Sequence, residues 1–471
     1  MTSREKQPLG LPVMTALVVG SLIGSGIFSL PQNMAENAGA GAIVIAWTIT
    51  LVGMLALTRI FQWLALHSDA AREGVYGYAR RGFGDYVGFS VAWGYWISVW
   101  VTLVGYLVLV FDALASFTPF RAFGEDGALA PLVGGLLLLW GLHAFVLMGV
   151  RSAAILNVVV TLAKLLPLAL FVLCAALAFE LSTFRLDFWG RGTGLSLLDQ
   201  LRSTMLYTVF VFLGIESATV YASRARDRQV ISRSTLYGFL VTFALLVCVS
   251  LLSLGIARQS ELAAMGNPSM ARVMERAVGP WGSGLINLGL IVSIAGALLA
   301  WTLIAAEMLY LAARGDNNTA PQVFGRLNRR GTPANAMWLT NILVSILLIA
   351  SFGSESAYNR LIQLAGAMAL IPYLACAAFA LRLCLAAPQR SLRLLVITSL
   401  GTLYGLWLIY AGGLRFLLLS MMLYALGTPF YLRARRERGL SAFSSPTERA
   451  VAILVSLLGG VALYLATTRL L

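Results

Sequence analysis

The sequence predicts an all-α polytopic membrane protein. Three observations predict it. Hydrophobic residues make up 59% of the chain and charged residues 11%, where a soluble domain carries about 25% charged residues. The apolar residues fall in continuous runs of the length that crosses hydrocarbon as a helix (about 20 residues), whereas a β-barrel would show shorter, alternating segments. The basic residues behind the net charge of +14 sit in short turns between these runs. That placement sets orientation in a membrane and does not form a nucleic-acid-binding patch.

Taken in order, thirteen spans are expected, at 11–30, 40–66, 86–117, 130–148, 154–178, 202–222, 235–256, 281–313, 335–351, 358–384, 393–411, 414–432 and 450–468. The third is long enough to tilt strongly. Only Gly412 and Gly413 divide the eleventh from the twelfth, so twelve spans are the alternative. The basic tail at 1–10 precedes an apolar run too long for a signal-peptide core, which predicts an uncleaved first span. With that tail in the cytoplasm, 23 of the 34 Lys and Arg residues fall inside, 10 outside and one, Lys164, within a span. An excess of basic residues on the cytoplasmic side supports this orientation.

The stretch Gly20–Pro31, GSLIGSGIFSLP, lies inside the first run. Gly20, Gly24 and Gly26, with Ser21, Ser25 and Ser29, weaken any helix there. Two readings are open: a small-residue packing face, or a helix broken at mid-membrane to aim backbone groups at a ligand. The sixth span carries a similar interruption, Gly214-Ile215-Glu216 in FVFLGIESATV. Five spans separate the two interruptions, and an odd number turns the second half upside down. This favours a 5+5 inverted repeat over 11–179 and 200–386, with broken first and sixth spans and 390–471 as added C-terminal helices.

Glu216 beside the second interruption needs water or a partner, which suits gating, proton sensing or support of the unwound segment. Ser217 and free N–H groups could equally satisfy it as a structural carboxylate. Lys164 lies about ten residues from either end of the fifth span, too deep to snorkel. An ammonium there requires carbonyl partners, and unwound span 1 offers them. It would act as a fixed charge in place of a metal cation, as a group that loses its proton, or as a structural lysine. Trp301 and Phe210 are aromatics near the same place, suited to a cationic group or to packing. Asp112 is placed near the outer end of span 3, and Glu307 two turns past Trp301. Cys174, Cys248, Cys376 and Cys384 form no C-x-x-C pair, and His67 and His143 lie far apart. No cofactor, metal site or disulfide framework is therefore expected. No nucleotide cradle or nucleophile–base pair is visible, which argues against an enzyme.

GSLIGSGIFSLP, FLGIESATV, AWTLIAAE and RLNRRGTPANA together resemble the amino acid–polyamine–organocation transporters. Within them the chain is most similar to the basic amino acid/polyamine antiporters, in particular the arginine/ornithine exchangers. The resemblance is strong over about residues 10–385 and weak beyond. It implies that Ser25 and Gly26, with Leu22 and Ile23, hold a substrate α-carboxylate. Carbonyls around Phe210, Leu213 and Gly214 would hold the α-amino group, and Trp301 would stack on a cationic end. Glu216 would serve pH response and gating, Tyr95 a gate, and Lys164 sodium-free operation. Two positions depart from the pattern: Phe210 replaces a gate Trp, and Thr102-Leu103 replaces Gly-Asn. The second change is expected to make the side-chain pocket greasier through Leu103, leaving cationic and neutral amino acids both open.

The function implied is exchange of cationic amino acids such as arginine and ornithine across a bacterial inner membrane by alternating access. A proton-coupled uptake permease is the alternative, and a non-transporting amino acid sensor a third reading. The expected partners are small amino acids and the lipid bilayer, with no nucleic acid; a homodimer is left open.

Overall fold

A computed structural model describes residues 10–68, 73–120, 129–147, 153–216, 228–314, 319–354, 356–388 and 391–468, with backbone alone at 153–159, 161, 162, 228 and 231. The second half of span 6 after Glu216, with Ser217, Arg224 and Arg226, lies outside the described residues, as does Arg72. Regular structure within them is helical throughout. Each expected run carries helix in its described part. Among the described residues, nine helices are long and apolar enough to cross a membrane, or ten when one bent pair counts as a single span.

That bent pair is the first run. Helix α1 (Leu11–Leu22) and helix α2 (Gly26–Ala35) meet at 51° across residues 23–25. Helix α3 (Ala40–His67) follows, then a short helix α4 (Gly74–Phe83) that the sequence reading missed, and the long α5 (Asp85–Ala115). Next come α6 (Ala130–Leu147), α7 (Ala153–Leu177) and α8 (Leu197–Phe210), the described helical part of span 6. Helix α9 (Arg228–Ser253) leads to a short amphipathic α10 (Ser269–Val278) and to α11 (Pro280–Ala313). Helices α12 (Ala334–Ser351) and α13 (Ala357–Ala386) precede α14 (Leu392–Ala425), α15 (Thr428–Glu437) and α16 (Pro446–Thr467).

Helix α14 is two arms joined at Gly413, whose φ of 78° no helix interior accepts. The first arm passes Ala377 and then Leu370 of α13, at Gly401 and Gly412. The second, continued past Ala425 into α15, returns along α5, with Tyr424 at Gly94, Gly427 at Trp93 and Tyr431 against Tyr86. The Gly-Gly turn therefore separates two helical arms.

Helix α5 is buried along most of its length between α11 and α13. Small residues let backbones close in, since lipid supplies no hydrophobic drive between helices. At Gly53 the Tyr404 ring, and at Gly94 the Tyr424 ring, occupies the space a methyl group would need. The outward faces carry exposed Leu137, Leu166, Leu457 and Leu463, apolar surface suited to lipid. Several buried polar groups are paired across helices. Trp47 donates to Ser250 (2.8 Å), Trp96 to Thr340 (2.9 Å), and His143 pairs with Asn341 (2.9 Å) between Trp140 and Trp338. His67 is exposed and stacks on Trp63.

On the face holding the N-terminal end of α5, the C-terminal helices clamp the α4–α5 corner. Asp85 accepts from Arg80 (2.7 Å) and from buried Arg435 (2.8 Å), while Glu448 accepts from the Ser444 N–H (2.8 Å) and the Tyr86 N–H (3.4 Å).

Candidate functional site

The site begins where α1 stops. Ile23 takes extended geometry (φ −81°, ψ 95°), and α2 restarts at Gly26. The last carbonyls of α1 lack helical partners, and one of them turns with a carbonyl of the break to one ammonium. Lys164 Nζ, from α7, donates to Gly20 O at 2.6 Å and to Ile23 O at 2.5 Å. A cation at a helix C-terminus also meets the negative end of the helix dipole. The Lys164 side chain is 2% exposed.

The second interruption faces the first. Helix α8 ends at Phe210, and 211–216 continues as tight turns, with Leu213 N–H bonded to Phe210 O and Ile215 N–H to Phe212 O. Gly214 sits at φ 102°, where an L side chain is strained. A methyl group there would also press on Ser21 O and on the Trp301 ring. Gly26 is likewise packed against Phe210 and Val211. The two breaks thus touch through positions that only glycine fills.

Six of the expected residues, Leu22, Ile23, Gly26, Phe210, Leu213 and Trp301, line one cavity. Helix α5 adds Thr102 and Tyr106, and α9 adds Leu246. No charged side chain is in this lining. A second cavity lies beyond Trp301 and Ile23, which border both, and it reaches Gly214, Lys164, Gly20 and Gly296.

The other expected residues lie beside the cavity. Ser25 is fully buried, its Oγ 3.2 Å from the Tyr358 hydroxyl. Glu216 accepts hydrogen bonds from Tyr95 of α5 and from Tyr373 of α13, the latter at 2.7 Å. The backbone N–H groups of Gly214 and of Glu216 itself also face this carboxylate. Tyr95 and Glu216 therefore form one unit that ties α5 and α13 to the turn. Asp112 and Glu307 lie off the cavity; Asp112 faces Arg272 and Tyr358, and Glu307 faces Arg314. Within the described residues no cluster of His, Cys, Asp and Glu has the make-up of a metal site.

One expectation is corrected. Leu103 was expected to line the side-chain pocket, but it is buried outside the cavity lining, and Thr102 lines it instead. Consecutive helical residues point about 100° apart, so only one of the pair can face the breaks. Thr102 spends its proton on Ser98 O (2.8 Å) and leaves its oxygen lone pairs available. The sequence reading also missed Tyr106, Tyr358 and Tyr373. For Tyr106 and Tyr373 the signal was a polar tip within an apolar run, which in membrane helices is as often an interface group as a ligand group.

A family model described as amino acid permease matches residues 9–437. The chain is 46% identical over 460 residues to an arginine/ornithine antiporter of Pseudomonas aeruginosa, a match covering 94% of each chain. It is 44% identical over 434 residues to a putative arginine/ornithine antiporter of Escherichia coli K12, covering 92% of this chain and 93% of that one. It is 38% identical over 478 residues to an arginine/agmatine antiporter of Chlamydia caviae, covering 99% and 98%. With a match this long and relatives covered nearly end to end, the chain belongs to the amino acid permease family.

Proposed function

We propose that this protein is an antiporter that exchanges cationic amino acids, arginine and ornithine first among them, across the bacterial inner membrane by alternating access, with its N-terminus in the cytoplasm. One observation carries the reading: a cavity free of charged side chains lies between two helix breaks, with Trp301 on its wall. The names of the similar antiporters support the choice of substrate. In this reading the N–H groups at Ser25 and Gly26 bind the α-carboxylate, as helix N-termini bind anions. The carbonyls of Phe210, Leu213 and Gly214 take the α-ammonium. Trp301 faces the cationic end, and Thr102 offers an oxygen acceptor beside it. Residues 11–179 and 200–386 act as inverted halves that rock about this site.

Lys164 acts as a permanent cross-brace on α1, at the place where a transported metal cation would otherwise sit. The Tyr95–Glu216–Tyr373 unit acts as a gate support. Counterflow tests the function. Proteoliposomes loaded with ornithine are expected to take up labelled arginine, and empty ones are not. Equal uptake into empty vesicles under an imposed proton gradient would replace exchange with proton-coupled uptake.

A further inference from the structure

Gly24, in the first break, lies against a side-chain hydroxyl. The Tyr106 phenol of α5 fills the space where a Gly24 Cβ would be. The same hydroxyl faces the backbone N–H of Ser25, and the Tyr106 ring lines the cavity with Thr102. Tyr106 is only 3% exposed. From the other side Tyr358 engages the Ser25 Oγ. Two phenols from different helices therefore meet at one serine, and only Tyr106 also borders the cavity. A phenolic hydroxyl beside a backbone N–H has a proton of its own to donate elsewhere.

We propose that the Tyr106 hydroxyl is a specificity-determining residue that selects substrates bearing an α-carboxylate over their decarboxylated amines. This rests on the proposed binding of the carboxylate at Ser25 and Gly26. The phenolic O–H donates to a carboxylate oxygen beside those N–H groups. An amine without the carboxylate leaves this buried donor unmet, and buried donors without acceptors are costly. Hydrogen bonds to charged groups are among the stronger ones, so removal of this one should cost about tenfold or more in affinity. The phenol also explains why position 24 must be glycine: any Cβ would push the hydroxyl off the break.

The test is competition in ornithine-loaded proteoliposomes, with labelled arginine as the reporter and arginine or agmatine as competitor. The wild type is expected to favour arginine. Tyr106→Phe, which removes one oxygen, is expected to weaken arginine about tenfold while leaving agmatine within about twofold. Tyr106→Met, which keeps apolar bulk, should collapse the preference in the same direction, and agmatine competition reports that each variant is folded. If both variants keep the wild-type arginine-to-agmatine ratio, or weaken both ligands equally, Tyr106 does not read the carboxylate and only this proposal falls. If the wild type exchanges neither ligand, the transport reading falls and this proposal with it.

Discussion

Lys164→Met separates the job of the buried lysine from its bulk. Methionine keeps an unbranched apolar stem and deletes the ammonium that holds Gly20 O at 2.6 Å and Ile23 O at 2.5 Å. Each bond to a charged donor is worth about 1.5–3 kcal/mol, so two at the low end hold the break by about 3 kcal/mol. Removing a buried ammonium also relieves several kcal/mol of desolvation. The two effects oppose each other in global stability, and the melting temperature should move by only a few degrees. They do not oppose each other at the break, because only the bonds favour the conformation that presents the 23–26 backbone. A loss of about 3 kcal/mol there lowers the competent population, and hence apparent affinity, about a hundredfold. Detergent melting curves read the first quantity and counterflow of labelled arginine the second. Wild-type affinity in Lys164→Met would refute the cross-brace; a large drop in melting temperature would show that the lysine supports the whole bundle.

Three further outcomes are expected. Trp301→Ala removes the wall shared by the two cavities and should weaken arginine by roughly 3- to 30-fold, in line with about 0.5–2 kcal/mol for a cation on an aromatic face; neutral amino acids should change less, and unchanged arginine affinity would remove Trp301 from the site. Glu216→Gln keeps the shape but not the charge that receives Tyr95 and Tyr373. It should lower stability by about 2 kcal/mol, read as thermal melting, and an amide variant as stable as the wild type would mean the charge is not what holds the turn. Gly94→Ala drives a methyl group into the Tyr424 ring and should cost about 1–3 kcal/mol through overpacking; no change would mean that α14 yields freely at this crossing.

The spans were legible because the membrane imposes a length on every apolar run, and the interruptions were legible because glycine and serine cluster there. What the sequence could not provide was direction around each helix axis. Thr102 and Leu103 are adjacent, and only the packing of α5 between α11 and α13 decides that Thr102 faces the breaks. Lys164 was visible as a buried cation, but its choice of Gly20 O and Ile23 O depends on where α1 ends. The tyrosines were illegible for a related reason. Tyr106 and Tyr373 lie in ordinary apolar contexts and Tyr358 among polar residues at the start of α13, and their hydroxyls matter because other helices bring Ser25 or Glu216 to them. The helices α4, α10 and α15 were missed because they are short and amphipathic, without the long apolar run that marks a span.

The arrangement of charge follows from the same geometry. A site meant for a zwitterion with a cationic tail has to meet several charges, yet a fixed side-chain charge on its wall would stay buried when the site empties. Here the two ionisable groups nearest the cavity are already engaged, Lys164 by carbonyls of α1 and Glu216 by two phenols. Apart from aliphatic side chains, the cavity wall itself offers backbone, aromatic faces and hydroxyls. Such dipoles stabilise a bound charge without being charges themselves, so an empty site buries no unpaired ion. A carrier that cycles between loaded states gains from this, because the penalty for crossing empty comes from unmet donors and acceptors at the breaks.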